Sequence, residues 1–343
     1  MHPRNRHKDY LDYKDLAHRQ QGLSRFVFTN AWGGSSIDYS DQDALQELTR
    51  SLLAEFYNIV GWQIPSGYLC PPVPQRVDYI HVMADLLALP SNDTPGSPRL
   101  PVRGPGVLGL DIGTGASCIY CLLGAREYGW SFIASDVDQS ALANAAAILA
   151  QNGLETQVQL RLQRDPSRIL RGVLGREETI AFCVCNPPFH ESLQYARRSA
   201  GSKWRGLGKE DEQGVEKNYQ GQATELCCEG GEVGFVTRMA EESSRPRFRQ
   251  ACIWFSALLS RESSVEPVKQ RLGELGARRR VFELCQGRNV KWVIAWTFID
   301  RSVRDVQLRL VTASPGSCAE PSEDGEKRRK KRQIVAAIES PEE

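Results

Sequence analysis

The 343-residue chain reads as an α/β protein with a parallel sheet covered on both faces, and three observations carry that reading. From Val107 onward, short apolar runs alternate with segments of helical period, as in a parallel sheet wrapped by helices. The first run turns through glycines straight into a helix start, in DIGTGASCIY (111–120). The run Phe182–Cys185 is apolar throughout and stops at Asn186-Pro187-Pro188-Phe189, where two prolines cannot donate to a ladder.

Taken in order, residues 1–90 form a first section. Leu45, Leu48, Leu52, Leu53 and Phe56 recur at helical spacing and predict an amphipathic helix over Asp41–Tyr57. The segment GYLCPPVPQRVDYIHVMADLLA predicts an extended Pro-rich piece and then a helix from about Asp78. Residues 91–106, dense in Pro, Gly and Ser, read as an exposed linker. VLGLDI, WSFIASD, QVQLRLQ and TIAFCVC predict four strands, with a helix over SALANAAAILAQNG between the second and third. Beyond a charged stretch, GGEVGFVTRMAEES predicts a helix with Val233, Val236, Met239 and Ala240 on one face. CIWFSALLS reads as strand, EPVKQRLGELG as helix, and RRVFELCQ with KWVIAWTFID as a closing antiparallel pair. Residues 313–343 are polar and charged and predict a disordered tail.

Composition sets bounds on function. No run approaches the roughly 18 apolar residues of a membrane span, and no signal-peptide core opens the chain. The ten cysteines sit mostly in apolar contexts, which predicts free thiols in a reducing compartment and no metal site. The net charge of +1 hides two basic clusters, within the first 25 residues and at Lys327–Arg332 (KRRKKR). Such clusters suit an anionic partner.

Three motifs carry chemistry. Gly113 and Gly115 let the backbone turn tightly and approach a ligand where strand meets helix, with N–H groups at the helix start available to it. The pattern is neither GxGxxG nor a Walker motif, so dinucleotides and triphosphates are disfavoured. Asp136 ends the second predicted strand, where a carboxylate can accept both hydroxyls of a ribose. Asp138 is placed to cap the next helix. Asn186 offers a side-chain carbonyl, and the prolines after it aim a backbone carbonyl the same way. Two convergent acceptors suit one planar NH2 group, whose lone pair they expose as charge develops. Phe189 can stack on a base.

DIGTGASCIY, NPPF after an apolar strand, MHPRNRHKDY, PPVPQRVDYIH and CQGRNVKWVIAWTF together resemble the RNA adenine-N(6) methyltransferases. That group unites eukaryotic U6 snRNA methyltransferases with bacterial RlmF enzymes of 23S rRNA. The resemblance spans residues 1 to about 300. It implies a class I S-adenosylmethionine-dependent fold, with a mostly parallel seven-stranded sheet over 107–300 and an N-terminal RNA-binding and lid extension over 1–90. It implies that Asp111, Gly113, Gly115, Asp136 and Asn186 contact S-adenosyl-L-methionine and that Arg76 reaches its carboxylate. Asn186, Pro187, Pro188 and Phe189 would hold the adenine. Arg4, Arg6, Lys8, Arg288 and Lys291 would touch structured RNA. NPPFH and GYLCPPVP resemble the bacterial type, while MHPRNRHKD and CQGRNVKWVIAW resemble the eukaryotic one. The basic KRRKKR run suits nuclear import, and the eukaryotic reading is preferred: U6 snRNA methylation in the nucleus. The alternatives are a cytoplasmic 23S rRNA methyltransferase, methylation of a protein glutamine, and a catalytically dead RNA-binding protein.

Overall fold

A computed structural model of the chain describes residues 1–9, 11–91, 94, 96–191, 221–287 and 289–313. Seven strands form one sheet: β1 (Leu108–Ile112), β2 (Ser131–Asp136), β3 (Val158–Leu162), β4 (Ile180–Cys185), β5 (Cys252–Leu259), β6 (Arg278–Gln286) and β7 (Asn289–Thr297). Their spatial order is β6-β7-β5-β4-β1-β2-β3. Pairing is parallel from β5 across to β3, and β7 runs antiparallel to both β5 and β6. The predicted strands and the closing pair are therefore present, in the arrangement of class I S-adenosylmethionine-dependent methyltransferases. The central strands are buried on both faces, with β4 and β5 buried at all their positions, while the edge strand β6 is largely exposed.

Helices α1 (Tyr13–Arg19), α2 (Gln42–Tyr57) and α3 (Val73–Leu86) precede the sheet. α2 starts where the pattern placed it, because the Asp41 carboxylate accepts from the N–H groups of Asp43 and Ala44. α3 begins at Val73, five residues before the predicted Asp78. Pro72 and Pro74 sit at its cap and first turn, where a missing N–H costs nothing. The extended reading of that Pro-rich piece is corrected, and Arg76 becomes a helical residue.

The 91–106 segment is also less detached than its composition suggested. Leu89–Pro90 pairs with Arg99–Leu100, Val102 is buried, and the Trp130 indole donates to the Val102 carbonyl at 2.9 Å. One apolar cluster runs from Leu16, Leu53 and Trp62 through Tyr79 to Trp130, Phe182, Trp254 and Val293. The N-terminal helices thus share a core with one face of the sheet. α4 (Ile119–Tyr128) and α5 (Gln139–Gln151) follow β1 and β2. α6 (Ala223–Leu226), α7 (Gly231–Ser243), α8 (Pro246–Arg249) and α9 (Val265–Glu274) come next. α7 and α9 contribute Val236, Met239, Val268 and Leu272 to a second cluster against the other face. α10 (Arg301–Ala313) extends the chain helically to the point where the tail was predicted. The KRRKKR run lies outside the described residues.

Candidate active site

The carboxyl ends of β1, β2, β3 and β4 open into a cleft of about 1010 Å³, counted out to its open mouth. Such a crevice beyond the strand ends is where open α/β sheets bind ligands. Its wall includes Arg76, Gly113, Gly115, Asp136, Asn186 and Pro188, six of the residues singled out in the sequence.

Gly113 and Gly115 have φ of +71° and +62°, which a residue with a Cβ rarely adopts. The turn is locked to β2: Gly113 and Thr114 N–H donate to the Ser135 carbonyl, and Gly115 N–H to Asp136 Oδ2 at 2.8 Å. These three N–H groups are therefore not available to a ligand, which corrects the expectation of free donors. What remains at that point is close approach of backbone. Asp136 also accepts the Asp138 N–H on Oδ1 at 2.9 Å. Burial raises its pKa above the usual carboxylate range. Asp138 caps α5 through Ser140 N–H and accepts from the Tyr68 hydroxyl at 2.6 Å. Asp138 thus caps the helix as its position in the sequence suggested.

Arg76 is buried in α3 and donates to the Tyr120 hydroxyl at 3.0 Å. Asp111 is not on the cleft wall. It is fully buried behind the glycine turn, where Oδ2 accepts from the Thr114 hydroxyl at 2.8 Å and the Cys121 thiol. The direct cofactor contact expected of Asp111 is thus replaced by support of the loop. Burial pushes its carboxyl up to about 7, and Oδ1 has no protein partner.

Asn186 carries the feature most useful for chemistry. Its Oδ1 is buried with no hydrogen-bond partner among the described residues, although it stands on the cleft wall. A carbonyl stripped of water and left unpaired costs about 1–3 kcal/mol unless a ligand supplies a donor. Pro187 is buried beneath, and the Pro188 carbonyl faces the Cys228 thiol at 3.7 Å. Phe189 stands beyond the cleft wall formed by the described residues, with the Lys291 ammonium 5.7 Å from its ring centre.

Sequence reasoning missed Tyr120, Gln163 and Glu225, which also line the cleft. Glu225 closes a capping box with Gln222 and accepts the Leu69 N–H at 3.3 Å, so it clips the 67–71 segment to α6. The spacing Gln222-x-x-Glu225 was the available signal for it.

The expected RNA-contacting residues do not form one free arm. Arg4 pairs with Asp85 at 2.7 Å and donates to the His81 carbonyl and the Tyr128 hydroxyl. Arg6 pairs with Glu127 at 2.6 Å and donates to the Phe56 carbonyl. Between them, Asn5 is buried and donates to Asp78 Oδ1 at 2.6 Å. The side chains of Arg4, Asn5 and Arg6 are thus used in docking the first residues onto α3 and α4. Lys8 is exposed, 3.3 Å from the Pro3 carbonyl. Lys291 lies on β7 beside Ser260, and Arg288 lies outside the described residues. Among the described residues no helix is long and apolar enough to cross a membrane, and no His, Cys, Asp or Glu cluster could hold a metal.

Comparison with known proteins agrees with this geometry. The model of an RNA methyltransferase family matches residues 1–300. The chain is 44% identical over 307 residues to the ribosomal RNA large subunit methyltransferase F of Pseudomonas savastanoi pv. phaseolicola, covering 89% of this chain and 91% of that protein. It is also 44% identical over 301 residues to the same-named protein of Aeromonas salmonicida, covering 88% and 92%. Among solved structures, the hMettl16 catalytic domain in complex with MAT2A 3'UTR hairpin 1 superposes with a TM-score of 0.73 at 32% identity, covering 88% of this chain and 96% of that one. The N-terminal domain of human METTL16 in complex with SAH gives 0.68 at 32% identity, over 88% and 99%. S-adenosylmethionine is the methyl donor of this fold. The cleft lining suits it chemically, with the buried Arg76 guanidinium, the strand-end Asp136 carboxylate and the Asn186 carbonyl, unpaired among the described residues. From its sheet order to the unpaired acceptor at Asn186, the chain belongs to the RNA methyltransferase family.

Proposed function

We propose that the protein methylates the exocyclic amine of an adenosine in large-subunit ribosomal RNA. The observation that carries the chemistry is the Asn186 Oδ1 on the cleft wall, buried and without a partner among the described residues. It would accept one N–H of the adenine amine, and a backbone carbonyl at Pro187 would accept the other. Drawing both hydrogens into the plane exposes the nitrogen lone pair, and the two acceptors stabilise the positive charge that grows there. S-adenosylmethionine supplies an electrophilic methyl group. Arg76 is placed to hold its carboxylate and Asp136 its ribose hydroxyls, while Gly113 and Gly115 let it lie close to the backbone. Phe189, backed by Lys291, would stack on the base once it is turned out of the RNA. No side-chain base is required, because the amine becomes acidic as it is alkylated.

Identity supports the ribosomal reading over the U6 snRNA reading. The bacterial relatives are 44% identical, and the human METTL16 structures are 32% identical over a similar share of the chain. The relatives' source favours the cytoplasm, the site of ribosomal RNA in bacteria. Nuclear placement had rested on the likeness of MHPRNRHKD and CQGRNVKWVIAW to the eukaryotic type and on the KRRKKR run. Incubating the protein with labelled S-adenosylmethionine and total RNA, then separating by size, tests the proposal. Label should enter the large-subunit RNA as N(6)-methyladenosine; label confined to small RNAs would overturn it.

A further inference from the structure

A second charged surface adjoins the part of the cleft wall formed by Gln163, Arg168 and Ile169. The 163–179 segment between β3 and β4 and the turn around α8 together form one open depression. Arg171 and Arg176 line it from the first segment, and Arg245 and Arg247 from the second, with Phe248 and a single carboxylate, Glu177. All four arginines are exposed, and none takes part in an ion pair among the described residues. Some arginines elsewhere are paired, as Arg161 is with Glu178 at 2.5 Å and Arg271 with Glu241 at 2.8 Å. Four guanidinium groups around one hollow repel each other, and in a chain of net charge +1 the cluster stands out.

The hollow is built on rigid backbone. The buried Glu242 carboxylate accepts the N–H groups of Ile169 and Arg171 at 2.8 and 2.6 Å. Gln163, itself on the cleft wall, donates to the Arg171 carbonyl at 3.0 Å. Arg247 donates to the Leu174 carbonyl and lies 4.9 Å from the Phe248 ring centre. Of the four arginines, Arg247 is the one whose side chain holds the fold; those of Arg171, Arg176 and Arg245 are presented outward.

Position sets what this surface can reach. Arg176 precedes β4 and Asn186 follows it, so the hollow and the target-base site stand at opposite ends of a six-residue strand. At 3.3 Å per residue that is about 20 Å. A trinucleotide centred on the target adenosine would not span the gap, whereas a longer folded RNA would.

We propose that this arginine hollow is a second RNA-binding site, holding backbone phosphates of a segment distant from the methylated adenosine. The proposal rests on the RNA-methyltransferase reading and narrows it to RNA long enough to reach both sites. Guanidinium forks match phosphate oxygens bidentately, and contacts to phosphate need no particular base.

The test uses the full chain with Arg171→Ala and Arg245→Ala combined, two side chains that hold no backbone. Filter binding is measured against intact large-subunit ribosomal RNA and against a trinucleotide centred on the target adenosine, each over a range of salt. For the long RNA, binding should weaken and the log–log salt slope should flatten by about 1.4–1.8, the loss of two phosphate contacts. Trinucleotide binding and S-adenosylmethionine binding should stay at wild-type values. An unchanged slope for the long RNA, or equal weakening of both RNAs, would overturn the proposal. Failure of the wild-type protein to methylate either RNA would instead remove the functional reading on which it rests.

Discussion

Replacing Asn186 by alanine separates chemistry from folding more cleanly than any other change in the cleft. Asn186 Oδ1 is a buried acceptor without a partner among the described residues, which therefore gain nothing from it before substrate arrives. Leaving such a group unpaired costs about 1–3 kcal/mol, so Asn186→Ala should be as stable as the wild type or more so. Methyl transfer should respond in the opposite direction. Losing one preorganised partner for developing charge costs about 2.7–4 kcal/mol of barrier, roughly a hundred- to a thousand-fold in rate. Cofactor affinity should hardly move, because the acceptor acts on the amine. Single-turnover transfer from labelled S-adenosylmethionine gives the rate, calorimetry the affinity, and thermal unfolding the stability. Turnover near the wild-type rate would refute the assignment. A clear fall in melting temperature would show instead that Asn186 holds the strand end together.

Three further perturbations test neighbouring parts of the argument. Asp136→Ala should weaken S-adenosylmethionine by about 1.5–3 kcal/mol, the worth of a hydrogen bond to a charged group; Asp138→Ala should instead lower stability by about 0.5–2 kcal/mol as α5 loses its cap. Calorimetry and melting of both variants would expose a swap of these roles. Asn5→Ala should lower stability by about 1–3 kcal/mol, since buried Asp78 loses a donor held at 2.6 Å; an unchanged denaturation midpoint would refute the docked N-terminal segment. Asp111, pushed up to about 7 from 3.8 by burial, keeps a proton in the folded state that the unfolded chain releases. Its neutral form therefore supports the fold below about pH 4, and that support is lost as pH rises through about 7. Asp111→Asn should gain stability relative to wild type across that window, and a constant difference in melting temperature would contradict it.

The parts of the fold legible in the sequence were those set by local period and local chemistry. Phe182–Cys185 announced a doubly buried strand, Asp41 and Asp138 announced their caps, and both glycines of the turn stand at positive φ. Arg76 was readable through family resemblance alone, because Pro72 and Pro74 obscured the start of α3. Partnership across long sequence distances was not readable. Arg4 and Arg6 look like a solvated basic arm until Asp85 and Glu127 are brought beside them. Asp111 looks like a ligand contact until the turn folds over it and Thr114 reaches back. Tyr120 and Glu225 reach the cleft from elements far apart in the chain, and no spacing rule connects them.

The shared core of the N-terminal helices and the sheet has a consequence for how the protein emerges from a ribosome. Tyr79 in α3 is fully buried, and its hydroxyl meets Ser256 in β5 at 2.7 Å, 177 residues later. At 5–20 residues per second, roughly 9–35 s pass between synthesis of the two. During that interval α3 lacks the strand that covers it, and β4 lacks its neighbour β5. The apolar faces of α2 and α3 must then be sheltered by each other or by a chaperone. Slowing translation between residues 86 and 250 should therefore raise the aggregated fraction, whereas a chain with a self-contained N-terminal unit would be indifferent to the pause.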